Sequence, residues 1–202
     1  MTTFLLVRHG LNDFTGKRLA GRLPGVHLNE AGRAQALKTA EALRNMPISA
    51  VYASPLERTI ETAQPIAEVH QLPVLINDGL IEMDFGDWVG QTEEVLHARD
   101  DWKTLLANAS AMRFAGGETY QEAQTRMVST IESLRVKHHD DQMIVCVTHC
   151  DTVRLILAHY FGMPLDLFHR ITIDTASISM LEFGNDIPRI SLMNYRPDQL
   201  LG

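Results

Sequence analysis

The 202-residue chain has the length of one compact domain and an ordinary globular composition, with 45% hydrophobic and 21% charged residues. Lysine and arginine total 18 against 25 aspartate and glutamate residues, and the net charge of −7 argues against nucleic acid or an anionic membrane as partner. Two cysteines give no disulfide framework, and the apolar run from Phe4 to Val7 is too short for a signal peptide or membrane span. We therefore expect one cytoplasmic domain over residues 1–202.

Strand-length apolar runs and helical patterns alternate along the chain. A helical pattern follows Asn29, an N-cap candidate, and stops at Pro47, while a capping box at 54–57 predicts the start of a second helix. Further amphipathic helical patterns begin at Tyr120 and Val153. The alternation predicts an α/β three-layer sandwich, a mostly parallel sheet flanked by helices. The predicted strands are residues 3–7, 51–53, 74–76, 143–147, 177–183 and 190–193.

The segment from about residue 78 to 117 fits this alternation poorly. It is acidic, contains both tryptophans and ends at Gly116-Gly117. We predict that it is a small insertion over the C-terminal edge of the sheet.

Polar side chains follow three of the predicted strands. Arg8 and His9 come directly after the first strand, Arg58 lies in the first turn of the helix after the second, and His149 follows the strand ending at 147. Each alone would more often be a solvated charge or a hydrogen-bonded histidine. Because ligands of open α/β sheets bind beyond the carboxyl ends of the strands, the recurrence at three strand ends favours a site. Two arginines and two histidines there predict a pocket for a phosphate-sized dianion.

Glu82 follows the third strand and is a candidate proton donor. A leaving alkoxide needs a proton, and a carboxylic acid of raised pKa can supply it. The residues alone leave two other interpretations open for Glu82, Asp84 and Asp87, namely an acidic surface loop or a divalent-metal site. The histidines show no ligand spacing, so we infer no metal.

Four motifs, taken together, resemble those of the histidine phosphatase superfamily, the phosphoglycerate-mutase-like group of phosphatases and mutases. The resemblance covers nearly the whole chain. The four motifs stand in the family order, each at the boundary of a predicted element, which makes the match specific. They are Arg8-His9-Gly10, the segments 54–63 and 82–90, and Thr148-His149.

The resemblance implies roles for five residues. His9 is the residue phosphorylated, Glu82 donates and accepts the proton, and the phosphoryl oxygens are held by Arg8, Arg58 and His149. It further implies a metal-independent histidine acid-type phosphatase that needs no cofactor and hydrolyses small phosphorylated metabolites through a phosphohistidine.

The chain departs from the family pattern near the pocket. Asn12 stands in a loop where members commonly have Glu-Thr, and it is a candidate phosphate contact. Ala20-Gly21-Arg22 replaces the usual Gln-Gly, so that Gly21 lies near the pocket and Arg22 adds a cation that could bind a second acidic group. Cys150 replaces the glycine that usually follows the second histidine, and Glu118 is a candidate cap of the long helix. We count Asn12, Gly21, Arg22 and Cys150 as substrate-binding candidates.

Two other functions remain as alternatives to a phosphomonoester hydrolase. A phosphoglycerate-type mutase would need to retain the phosphoryl group, and the segment 78–117 looks too short to enclose the pocket well. A catalytically silent phosphate-binding regulatory protein is disfavoured by the intact His9, Glu82 and cationic residues. We expect a small phosphorylated molecule as partner, with no nucleic acid and no membrane, and leave a homodimer open.

Overall fold

The computed structural model describes residues 1–138, 141–184 and 187–199. Within these ranges, no helix has both the length and the apolar character needed to span a bilayer. The strands are β1 Thr2–Arg8, β2 Ile48–Ala53, β3 Val74–Ile76, β4 Met143–Thr148, β5 Ile178–Phe183 and β6 Pro188–Tyr195. The α-helices are α1 Glu30–Leu43, α2 Glu57–Val69, α3 Glu93–His97, α4 Asp100–Ala107, α5 Tyr120–Lys137 and α6 Cys150–Tyr160.

The six strands form one sheet in the order β3-β2-β4-β1-β5-β6. The first four strands of the chain pair in parallel, and β5 and β6 add an antiparallel edge. At the centre, β1 is apolar on both faces because alternate side chains enter different core clusters: Phe4 and Leu6 enter one, Leu5 and Val7 the other. The predicted α/β fold with a mostly parallel sheet is confirmed.

Helices cover both faces of the sheet. On one face, Leu43 of α1 and Ile66 of α2 pack with Leu5 and Val7. On the other face, buried side chains of α5 and α6 pack in the same cluster as Phe4 and Leu6. Three layers result, as predicted from the alternation of strands and helices.

Two of the predicted helix starts are corrected by the structure. The side chain of Asn29 caps α1 as expected, accepting from the Gly32 amide at 2.9 Å. Helix α2, however, begins at Glu57 with Leu56 at the N-cap, because the Ser54 hydroxyl is bound elsewhere. Helix α5 is capped by Thr119, which forms a capping box with Glu122, so Glu118 is not the cap.

The segment 78–117 packs on the α5 side of the sheet. It contains α3, α4 and short 3-10 turns at 78–80, 86–88 and 109–111. Phe114 is buried at its centre and meets Phe85, Trp88 and Tyr120 edge-on, with ring centroids 4.9 to 5.6 Å apart. This aromatic cluster holds the loop of Glu82 near the carboxyl ends of the strands.

Candidate active site

The carboxyl ends of β1 and β4 bring two histidines together. His9 follows β1, and its amide donates to the Thr148 carbonyl at 2.9 Å. The rings of His9 and His149 lie with centroids 5.3 Å apart. Arg8, His9, Arg58 and Glu82 line one cavity of about 300 Å³. The structure therefore places at one sheet edge the side chains that the sequence assigned to three strand ends.

His9 is held with one ring nitrogen free to react. Its Nδ1 lies 2.8 Å from the Gly10 carbonyl, which can only accept, so Nδ1 carries the proton and Nε2 keeps its lone pair. Burial, assisted by the charges of Arg58 and Arg8, holds the pKa of His9 well below 6.5. A Cβ at Gly10 would come 2.6 Å from the Gly32 carbonyl, so only glycine fits beside this histidine. His9 is therefore a neutral imidazole with an available Nε2.

Arg58 provides buried donors that lack protein partners. It is 1% exposed, and its Nη2 donates to the Gly21 carbonyl at 2.6 Å. Its Nε and Nη1 make no hydrogen bond with the described residues. Arg8 is similar: its Nη1 donates to the Ile173 carbonyl at 2.6 Å, while its Nε makes no hydrogen bond with the described residues. Leaving charged donors buried and unpaired is costly, so an anion bound beside them would be strongly favoured.

His149 links Ser54 to Arg58. Its Nδ1 lies 3.3 Å from Nη2 of Arg58 and accepts a hydrogen bond from it. The ring proton is therefore on Nε2, which donates to the Ser54 hydroxyl at 2.8 Å. Burial and the charge of Arg58 hold its pKa well below 6.5. In this arrangement both ring nitrogens have protein partners and His149 orients Arg58. A direct contact of His149 with a phosphoryl oxygen stays a prediction.

Glu82 is a buried carboxyl whose acidity is weakened. It is 8% exposed, and its Oε1 accepts from the Met83 amide at 3.0 Å and from the Thr152 hydroxyl at 3.3 Å. Burial and the negative charge of Asp151 raise its pKa to about 7. The hydrogen bond from the Met83 amide and the charges of Arg58 and Arg8 lower the pKa, but by less. Near neutral pH, Glu82 can therefore give up or take a proton.

Arg22 is placed differently from the expectation that it stands at the pocket mouth. Its Nε donates to the Glu82 carbonyl at 2.8 Å, and its Nη2 contacts the Glu118 carboxylate at 3.0 Å. Glu118 also accepts from the Asp84 amide at 3.1 Å and pairs with Arg126 at 2.9 Å. Arg22 is thus committed to fixing the Glu82 loop, and it does not line the cavity.

The other three substrate-binding candidates do line the cavity. Asn12 uses its Oδ1 to accept from the Phe14 amide at 2.9 Å, so it shapes the loop. Gly21 has φ of +50°, and a Cβ there would lie 2.8 Å from a Val89 methyl group. Burial raises the pKa of the Cys150 thiol to about 11, so this side chain remains a neutral thiol.

Sequence reasoning missed several residues of the cavity wall. Arg18, Phe85, Trp102, Asp151 and Arg154 all line it. Arg154 follows Cys150 by four residues on α6, so helical spacing could have placed both on one face. Trp102 carries no such local signal.

The described residues contain no group of three or more histidine, cysteine, aspartate or glutamate side chains placed to hold a metal ion. In the acidic loop, Asp84 accepts from the Gly86 amide at 3.0 Å and pairs with Arg22 at 3.4 Å. Its carboxylate is therefore used to shape the loop.

Comparison with known proteins identifies the family. Residues 4–196 match the model of the histidine phosphatase superfamily, branch 1. The chain belongs to this superfamily.

It is 32% identical over 186 residues to phosphoserine phosphatase 1 of Hydrogenobacter thermophilus, covering 90% of this chain and 86% of that protein. It is 29% identical to a glucosyl-3-phosphoglycerate phosphatase of Mycolicibacterium vanbaalenii, covering 80% and 75% of the two chains. A phosphoserine phosphatase of Entamoeba histolytica, solved with 3-phosphoglyceric acid, superposes with a TM-score of 0.86 at 25% identity over 96% of this chain and 97% of that one.

Proposed function

We propose that this histidine phosphatase hydrolyses phosphomonoesters of small molecules through a phosphohistidine on Nε2 of His9. The observation that carries the proposal is that Arg8, Arg58 and Glu82 line the same cavity as His9, and that both guanidinium groups keep nitrogens without a hydrogen-bond partner among the described residues. These donors suit the equatorial oxygens of a phosphoryl group. Relatives named as phosphatases support the same class of reaction.

In the first step, Nε2 of His9 attacks phosphorus in line with the leaving group. The P–O bond to the alcohol breaks as the P–N bond forms, and protonated Glu82 gives its proton to the departing oxygen. The Gly10 carbonyl continues to accept from Nδ1–H, which stabilises the positive charge that the ring acquires. Arg58 and Arg8 stabilise the charge on the phosphoryl oxygens.

In the second step, water replaces the alcohol. Glu82, now a carboxylate, takes a proton from the water as its oxygen attacks phosphorus, and the P–N bond breaks to return neutral His9. Inorganic phosphate leaves and Glu82 is again protonated. No cofactor or metal enters this cycle.

The proposal includes a cytoplasmic location, which the two free thiols of Cys146 and Cys150 support because such thiols persist in a reducing compartment.

The direct test is phosphate release from p-nitrophenyl phosphate by the wild type and by His9→Ala. The matched control is His159→Ala, which removes an exposed histidine at the far end of α6. We expect activity to be lost in the first variant and kept in the second. Full activity of His9→Ala would overturn the proposal.

The same preparation tests the mutase alternative. With 3-phosphoglycerate and its bisphosphate primer, we expect phosphate release to exceed isomerisation. The opposite ratio would assign the chain to the mutases.

A further inference from the structure

A second cavity of about 370 Å³ adjoins the cavity of His9. The two share a wall that includes Leu19, Phe85, Trp102 and Arg154. The second cavity extends under α3 and α4, where Leu96 and Leu105 also line it. The second cavity is therefore next to the place where a group attached to the phosphoryl oxygen would lie.

Aromatic side chains form part of the wall of the second cavity. Trp88 and Phe114, which are 2% and 1% exposed, form its buried side. Trp102 stacks on Trp88 with ring centroids 6.1 Å apart and planes at 24°, and it is only partly buried. Trp102 therefore offers ring surface to a ligand from a supported position.

The charges around the second cavity are balanced in sign. Among the described residues that line it, two arginines, Arg18 and Arg154, face two acids, Glu93 and Asp151. Arg154 is already paired with Asp151 at 3.0 Å and donates from Nε to the Ile171 carbonyl at 2.8 Å. Arg22 lines neither cavity and is paired with the carboxylates of Asp84 and Glu118. A substrate carboxylate at Arg154 would therefore have to displace an existing ion pair. Arg18 is exposed and donates to the Gly90 carbonyl at 3.4 Å, so it lies at the solvent side of the wall.

We propose that the second cavity receives the alcohol part of the substrate, and that this enzyme prefers phosphomonoesters whose alcohol carries an aromatic ring or a similarly bulky apolar group. The inference rests on the proposed phosphatase function. It separates this chain from relatives named for phosphoserine or glucosyl-3-phosphoglycerate. Burial of the ring against Trp102, Phe85 and Leu105 would supply the preference.

The test compares 3-phenylpropyl phosphate with propyl phosphate on the wild-type enzyme. Both release a primary alcohol of similar basicity, so the need for protonation is matched and only the ring differs. Burying a phenyl group should raise kcat/KM on the order of 10-fold to 100-fold, mainly through a lower KM. Equal kcat/KM for the two substrates would overturn the inference and leave the proposed function intact. If neither substrate is hydrolysed and vanadate does not bind, the proposed function fails as well.

Two variants locate the preference in the second cavity. Trp102→Ala and Leu106→Ala each remove apolar wall, and Leu106 is 52% exposed, so its loss spares the core. Both should lower the ratio of kcat/KM for the phenylpropyl ester to that for the propyl ester. Phe161→Ala is the matched control, because Phe161 is a 50% exposed aromatic residue outside both cavities. An unchanged ratio in both folded cavity variants, or an equal fall in the control, would overturn the inference.

Discussion

Replacing Glu82 by glutamine is expected to stabilise the fold at alkaline pH and to remove the proton donor. A pKa of about 7 in place of the ordinary 4.5 means that the folded protein opposes ionisation of this buried carboxyl. At about 1.4 kcal/mol for each pH unit, the ionised side chain lowers the free energy of unfolding by roughly 3 to 4 kcal/mol. Glutamine stays neutral at every pH, and its carbonyl oxygen can still accept from the Met83 amide.

The sign of this effect follows from which form the fold prefers. The raised pKa means that neutral Glu82 is favoured in the folded state, so the wild type loses stability as pH rises from about 4.5 through about 7. The stability gained by Glu82→Gln should therefore be small near pH 4.5, grow through this window and reach roughly 3 to 4 kcal/mol above it.

Urea unfolding of both proteins in phosphate-free buffer, at pH 5 and at pH 8, measures the difference. Glu68→Gln, at an exposed position of α2, is the matched control and should show no such pH-dependent gain. A difference between Glu82→Gln and the wild type that is the same at both pH values would refute the raised pKa.

The catalytic half of this prediction depends on the leaving group. In Glu82→Gln, kcat/KM for alkyl phosphates should fall on the order of 10²-fold to 10⁴-fold, which is the usual contribution of a positioned acid. p-Nitrophenyl phosphate should lose much less, because its phenolate leaves without a proton. In the wild type, kcat/KM for the alkyl ester should fall above about pH 7, where Glu82 ionises. Equal losses on the two substrates would remove Glu82 from the proton-transfer role.

Three further predictions concern the surroundings of His9. Arg58→Met should abolish inhibition by vanadate in the folded protein, because it removes the buried guanidinium group from the cavity of His9; inhibition that stays as strong as in the wild type would contradict this. Glu118→Gln should slow hydrolysis of alkyl phosphates more than of nitrophenyl phosphate, because Glu118 and Arg22 fix the Glu82 loop; an equal effect on both esters would count against that positioning role. A strong chelator should leave the rate unchanged, and activity lost to it and restored by a divalent ion would overturn the mechanism.

The central sheet and the convergence at its edge could be predicted because the signals are local. Residues 4–7 and 143–147 are apolar on both faces, as buried parallel strands require, and each run leads directly into an Arg-His or Thr-His pair. The rule that ligands bind at the carboxyl ends of such strands then placed His9 and His149 together.

What the sequence did not predict depends on contacts between distant segments. The start of α2 was wrong because the Ser54 hydroxyl binds His149, 95 residues away, in place of its own helix. Arg22 was assigned to the pocket mouth, but it pairs with Glu118. These two residues are 96 positions apart, so no local pattern in the sequence indicates the ion pair. Trp102 lines the cavity and stacks on Trp88, and no spacing in the sequence indicates either contact.

The most direct test of the mechanism is to trap the covalent intermediate. Enzyme mixed with labelled substrate and quenched within a turnover should carry phosphate that is labile in acid and stable in base, as a phosphoramidate is. Peptide mapping should place the label on His9, and phosphorus NMR should assign it to Nε2, because Nδ1 is occupied by the Gly10 carbonyl. His9→Ala should carry no label. Label on any other residue, or hydrolysis at full rate without a labelled enzyme, would contradict nucleophilic attack by His9.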